Sequence, residues 1–229
     1  MQLSKRLLKL ISFVDQPCSI ADIGTDHAYL PIYLAKNFSC DKLIATDIKQ
    51  GPYEAAVSNI KKFGLQDKIE VRIGAGLTVL KPKEVKSIVI AGMGGNTIID
   101  ILTNEIEVTN SLEKLILQPM NASYNLREWL VTNHWQIKDE GLVREGAKFY
   151  EVIAAQPGQE IIDNDFLLEV GPRLREEEPQ DYKEFLLSKA EGWQRILNDL
   201  PEKEIPELIN KRRVLEEKIA NIREVIQCL

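Results

Sequence analysis

Histidine and cysteine are scarce, with two and three copies in 229 residues. The cysteines, Cys18, Cys40 and Cys228, are odd in number, widely spaced and never in Cys-x-x-Cys order. That pattern argues against a zinc site and for a reducing compartment, and no metal is expected. No apolar run approaches the roughly 20 residues that a membrane-spanning helix requires. The stretch from Leu3 to Ile11 is apolar on one face, but Lys5, Arg6 and Lys9 interrupt it. It lacks the unbroken core and the cleavage site of a signal peptide. The expectation is a soluble, cytoplasmic chain without a membrane partner.

What is present is ordinary in amount and uneven in place. Hydrophobic residues make up 44%, charged residues 28%, and the net charge is −6. Residues 1–160 hold 18 basic and 19 acidic side chains, and residues 161–229 hold 11 and 16. Most of the excess acid therefore lies in the tail, and the negative total does not exclude a nucleic acid. Basic groups recur at Lys5–Arg6–Lys9, Lys61–Lys62, Lys81–Lys83–Lys86 and Lys211–Arg212–Arg213. Each is most simply a solvated helix face. Together they offer grips for a folded polynucleotide.

The organising stretch is Ile20 to Pro31. An apolar strand with one acid, Asp22, stops at Gly24 and turns through Thr25-Asp26-His27 into a helix over Ala28 to Lys36. A strand end facing a helix start makes a nucleotide-type pocket. A dinucleotide loop has a second glycine where Asp26 stands. A carboxylate there repels a pyrophosphate. It suits a ligand with positive charge and hydroxyls, and S-adenosylmethionine has a sulfonium, an ammonium and a ribose.

Further strands are read at 42–48, 69–74, 87–91 and 114–118, with helices between them. Gly64 is expected to cap the second helix and Ser123 a later one, through Asn133. Two strands, 135–143 and 149–155, close the series as a hairpin. Strand–helix alternation implies an α/β fold with a mostly parallel sheet and one terminal antiparallel hairpin. The unusual residues then share one rim: Asp22, Gly24 and Asp26, Asp47, Gly74 to Gly76, Gly92 to Gly95, and Gln118 to Asn121 all follow strand ends. Pro157-Gly158 marks a boundary. The expected domains are 1–160, binding the cofactor, and 161–229, an α-helical coiled-coil hairpin whose seam runs from Tyr182 to Leu229 with a turn at Pro201 to Pro206.

Cofactor contacts are expected from Asp22, Gly24, Asp26, His27, Asp47, Ile48, Gly74, Ala75, Gly76, Gly92, Met93 and Gly94. Asp47 suits the ribose hydroxyls, or else caps the following helix. Asp22, Asp26, Tyr29 and Asn121 are the groups expected to act on an acceptor. Asp26 equally suits a helix cap, and Tyr29 a structural contact.

These motifs, Asp22-Ile-Gly-Thr-Asp-His-Ala-Tyr-Leu-Pro, Ala45-Thr-Asp-Ile, Gly74-Ala-Gly-Leu, Ala91-Gly-Met-Gly-Gly and Leu117-Gln-Pro-Met-Asn, resemble the bacterial TrmK family. Its members are tRNA methyltransferases that modify N1 of adenine 22. The resemblance covers nearly the whole chain. It implies a class I Rossmann-like methyltransferase domain, S-adenosylmethionine as donor, S-adenosylhomocysteine as product and tRNA as partner. Enzymes that methylate amino groups of bases often carry Asn/Asp-Pro-Pro-Tyr/Phe after strand four. Gly92-Met-Gly-Gly95 replaces it here, which turns the reading away from N6 of adenine. Oligomeric state stays open between monomer and weak dimer. A small-molecule methyltransferase shares every cofactor feature, and a non-enzymatic cofactor sensor with a dimer zipper is the other alternative. A nicotinamide dehydrogenase is disfavoured by Asp26.

Overall fold

A computed structural model describes residues 3–177, 179–203 and 205–229. The chain divides into two compact units, Met1–Ile161 and Ile162–Leu229.

The first unit begins with α1 (Lys5–Ser12), capped by Ser4, whose hydroxyl accepts from the Leu7 amide. Strand β1 (Cys18–Ile23) is buried along its whole length. Helix α2 (Tyr29–Asn37), β2 (Cys40–Asp47), α3 (Gln50–Lys62), β3 (Glu70–Ile73), β4 (Ser87–Met93) and α4 (Gly95–Asn104) follow. A short α5 (Ile106–Asn110) precedes β5 (Lys114–Pro119) and α6 (Ser123–Thr132). Strands β6 (Trp135–Glu145) and β7 (Lys148–Pro157) form the hairpin, turning at Gly146 and Ala147.

The seven strands lie in the order β3-β2-β1-β4-β5-β7-β6. Strands β1 to β5 pair in parallel, and β7 is antiparallel to both its neighbours. Side chains alternate between the two faces, as a pleated strand requires. Ile20, Val89 and Ile116 join Leu10, Ile32 and Ala56 on the face of α1, α2 and α3. Ala21, Ile23, Ile88, Ile90 and Leu117 join Ile98 and Leu126 on the face of α4 and α6. Chain direction across the sheet reverses at β1 and β4, so the switch point opens at their carboxyl ends.

Gly64 follows α3 at φ +65°, and the Leu65 amide donates back to the Ile60 carbonyl. Ser123 is not the cap of α6. Ala122 holds that position in left-handed backbone, and Ser123 lies one residue inside the helix. Its hydroxyl donates to Glu151 at 2.8 Å. Glu151 also accepts from Arg127, which is fully buried and bridges to buried Glu140. That cross-strand charge cluster takes the hydroxyl a cap would have used. The cysteine spacing concealed another contact: parallel register sets Cys18 beside Cys40, and the two form a disulfide.

The second unit is helical: α7 (Phe166–Val170), α8 (Pro172–Glu177), α9 (Tyr182–Asn198) and α10 (Pro206–Gln227). Helices α9 and α10 pack against each other; part of the turn expected at Pro201 to Pro206 lies outside the described residues. Burial along the expected seam is graded. Tyr182, Leu186, Leu215, Ile219 and Ile222 are buried, whereas Ile196 and Leu229 are exposed.

Candidate functional site: two cavities at one strand-end rim

The turn after β1 is built from backbone that few residues adopt. Gly24 has φ +76°, Asp26 +50° and Ala28 +56°. Left-handed backbone is cheap for glycine and tolerated by aspartate, but costs alanine about 1 kcal/mol. The Gly24 and Thr25 amides both donate to the Thr46 carbonyl at 2.8 Å, which pins the turn to β2. A Cβ on Gly24 would lie 2.3 Å from the Met93 methyl, so this position brings two strand ends close as well. Strain gathered in one loop marks a site where the surrounding fold enforces an unusual shape.

Two cavities open there. The first, of about 510 Å³, is lined by Gly24, Asp26, Asp47, Ile48, the Gly74-Ala75-Gly76 corner, Gly92 and Met93. Ile23, Thr46, Lys49, Pro52, Ala91, Thr97 and Ile101 complete it. The second, of about 520 Å³, lies between the β1 turn and α1. Asp22, Thr25, Asp26, His27, Tyr29 and Arg6 line it. Gly24, Asp26, Ala91 and Gly92 border both.

Asp47 answers the choice between ribose ligand and helix cap in part. Its Oδ1 accepts from the Lys49 amide at 2.8 Å, closing the turn before α3, whose cap is Lys49. Among the described residues its Oδ2 has no partner. Ile48 beside it is 63% exposed. The Thr46 hydroxyl is buried without a partner among the described residues.

Asp22 is buried, and Thr25 Oγ1 donates to its Oδ2 at 2.5 Å. Burial pushes its carboxyl up to about 6. The Thr25 hydrogen bond pulls the other way, and the charge of Asp47 adds to the rise. Asp26 is exposed and 3.4 Å from His27 Nε2. The His27 and Tyr29 rings stack with centroids 5.3 Å apart, and Tyr29 is 41% exposed.

Two of the expected residues stand apart. Gly94 and Asn121 line neither cavity. The Asn121 carbonyl accepts from the Gly95 amide at 3.0 Å. A Cβ on Gly95 would come within 2.4 Å of the Ala122 carbonyl oxygen. Gly94 and Gly95 thus serve the packing of α4 on the β5–α6 corner, and Gly92 and Met93 face the cavity. Gln118 is wholly buried; its Oε1 accepts from the Gly92 amide at 3.1 Å and from Arg6 Nη1 at 2.8 Å. Arg6 was legible only as one member of a basic cluster, and Thr25 and Thr46 only as turn and strand residues. The partner of Arg6, Gln118, lies on a strand 112 residues away.

A sequence model described as tRNA (adenine(22)-N(1))-methyltransferase matches residues 20–224. The chain belongs to the TrmK family. It is 40% identical over 158 residues to the Bacillus subtilis tRNA (adenine(22)-N(1))-methyltransferase, an alignment spanning 69% of this chain and 66% of that relative. It is also similar to a putative tRNA (m1A22) methyltransferase of Streptococcus pneumoniae solved in complex with S-adenosyl-L-methionine. That likeness has a TM-score of 0.88 and 36% identity, covering 98% of this chain and 100% of that one. A third TrmK member, from M. capricolum in complex with S-adenosyl-homocysteine, superposes with TM-score 0.81 at 28% identity over 99% of both chains. The Rossmann-like methyltransferase fold and the family resemblance read from the motifs both hold.

Proposed function

We propose that this protein transfers the methyl group of S-adenosylmethionine to N1 of adenine 22 in tRNA, leaving S-adenosylhomocysteine. The observation that carries the reading is the pair of cavities on one strand-end rim, bordered in common by Gly24, Asp26, Ala91 and Gly92. A donor and an acceptor base need two pockets with a shared edge.

The first cavity fits the donor's nucleoside. Asp47 Oδ2 is an open acceptor for ribose hydroxyls, Ile48 and Met93 offer apolar surface to adenine, and the Gly74 to Gly76 corner admits close backbone approach. When bound, the donor supplies an electrophilic methyl on a sulfonium. The chain's own residues do the rest. Tyr29, stacked on His27 and half-exposed, is a platform for the incoming base. Adenine N1 attacks as a neutral nucleophile, and the product is cationic until N6 loses a proton. Asp22 and Asp26 put negative charge beside that cation. Asp22, with its carboxyl near 6, lies in the range where a carboxylate accepts a proton at neutral pH.

N1 lies on the Watson–Crick edge, so the base must leave its pairing before it reacts. Lys5 and Lys9 on α1, and Lys211 to Arg213 on α10, are the candidate grips on phosphate. Arg213 already pairs with Glu217, which reduces its share. We read the helical unit as a coiled-coil handle on tRNA, the enzyme as a monomer or weak dimer, and its location as the cytoplasm.

The test is incubation of purified protein with unmodified tRNA and labelled donor, with the product mapped by reverse transcription. The expected result is label in tRNA and a stop at position 22. No label in the tRNA, or a stop elsewhere, overturns the assignment.

A further inference from the structure

The rim between the two cavities is not regular strand. Strand β4 pairs with β5 residue for residue as far as Ala91 and Gln118, then resumes at Met93 and Pro119, so Gly92 is left without a register partner. That extra residue makes a β-bulge, with φ +78° at Gly92. Bulges re-aim the chain beside active sites. Gly92 borders both cavities and faces the open rim, so what holds it comes from behind.

Behind it lies Gln118, wholly buried near the end of β5. Its Oε1 accepts from the Gly92 amide at 3.1 Å, in place of the ladder bond that the bulge forfeits. The same oxygen accepts from Arg6 Nη1 at 2.8 Å, and Arg6 lines the second cavity. The amide nitrogen is engaged as well. Nε2 donates to the Pro119 carbonyl at 2.9 Å and lies 3.6 Å from Met120 Sδ. Turning the amide over would set donor against donor at Gly92 and Arg6, and acceptor against acceptor at Pro119. One side chain in one orientation therefore fixes the shared edge of the cavities and one wall of the second. Gln118 itself lines neither cavity, so it acts through Gly92 and Arg6.

We propose that Gln118 is a positioning residue for methyl transfer: by holding the Gly92 bulge and Arg6 on one oxygen, it sets the spacing across the rim between the donor's methyl and the acceptor nitrogen. The inference rests on the methyltransferase reading above and adds to it a residue that touches neither substrate. In-line attack tolerates little misplacement, and an error of about 1 Å costs up to about a hundredfold in rate. Binding of each ligand in its own cavity depends far less on the spacing between them. Loss of the Gln118 oxygen therefore falls on kcat and spares the binding of both.

The test compares Gln118→Met, which keeps the volume and loses the acceptor, with Gln118→Glu, which keeps an oxygen of the same reach. Calorimetry with S-adenosylhomocysteine counts the folded sites, and kcat is expressed per site. Gln118→Met is expected to lose roughly ten- to hundredfold in kcat, with KM for donor and for tRNA within about threefold of the parent. Gln118→Glu is expected to recover most of that loss. An unchanged kcat in Gln118→Met, a loss confined to either KM, or a Gln118→Glu as slow as Gln118→Met overturns the inference. Hydrogen exchange on the unaltered protein asks no variant to fold. There the Gly92 amide is expected to exchange at least about tenfold more slowly than an open-loop amide, and exchange at the open-loop rate also overturns the inference. The kinetic outcomes are ratios to a parent that methylates tRNA. A parent that does not sinks the substrate assignment and this inference with it, whereas an active parent with an equally active Gln118→Met sinks this inference alone.

Discussion

Asp22 ties the stability of the fold to the role proposed for it. Its carboxyl is ordinarily near 3.8 and is pushed up to about 6 in the fold, chiefly by burial. The folded chain therefore holds that proton more tightly than the unfolded chain. The stability linked to it is full below about pH 4 and is lost as pH rises through 6. At neutral pH the site carries a buried charge at the fold's expense. Asp22→Asn, similar in shape and uncharged, is expected to raise stability at pH 8 by up to about 3 kcal/mol and to change it little at pH 4. Thermal melts at the two pH values check this. Methyl transfer by the same variant should fall at least about a hundredfold, since an amide neither takes the N6 proton nor opposes a cation. A variant as active as the parent at pH 8 would remove Asp22 from the chemistry.

Elements meet at fixed clearances, and glycines mark the tightest. Gly95, at the start of α4, faces the Ala122 carbonyl, where a Cβ would lie 2.4 Å away. Gly95→Ala is expected to cost about 1–3 kcal/mol by forcing backbone apart, read as a lower urea midpoint. Gly51 in α3 has nothing within 4 Å of the same atom, so Gly51→Ala should be neutral or gain up to about 1 kcal/mol. At this scale the sequence was most readable. Ile88 to Ile90 announced a buried strand, and the hairpin was evident from its two apolar runs. Its flanks were longer than expected because Arg144, Glu145 and Lys148 continue the ladder. Local pattern could not set β7 between β5 and β6, since both neighbours present similar apolar faces. Nor could it foresee that Glu151, 28 residues from Ser123, would take the hydroxyl meant for a cap. Of the site, the strand-end acids and glycines were legible because their chemistry is local. Arg6 was not, because what places it at the site is its hydrogen bond to Gln118, 112 residues away and visible only once the strands are assembled.

The whole molecule divides into two units, Met1–Ile161 and Ile162–Leu229. The first holds both cavities and a core on each face of its sheet. Removing residues 162–229 is expected to preserve S-adenosylhomocysteine binding by calorimetry and to abolish methylation of tRNA. A truncated protein that turns over tRNA at the full rate would take the handle role away from the helices. The shared hold of Gln118 on Arg6 and Gly92 has a consequence for how the protein is made. Helix α1 leaves the ribosome before its three anchors: Gln118 follows Arg6 by 112 residues, Glu145 by 139, and Tyr150 later still. An N-terminal segment that waits for late partners stays loose while the central strands gather. The wall of the second cavity is therefore the last part of the site to close, and a nascent chain stalled before β5 would have the first cavity with one side of its neighbour still open.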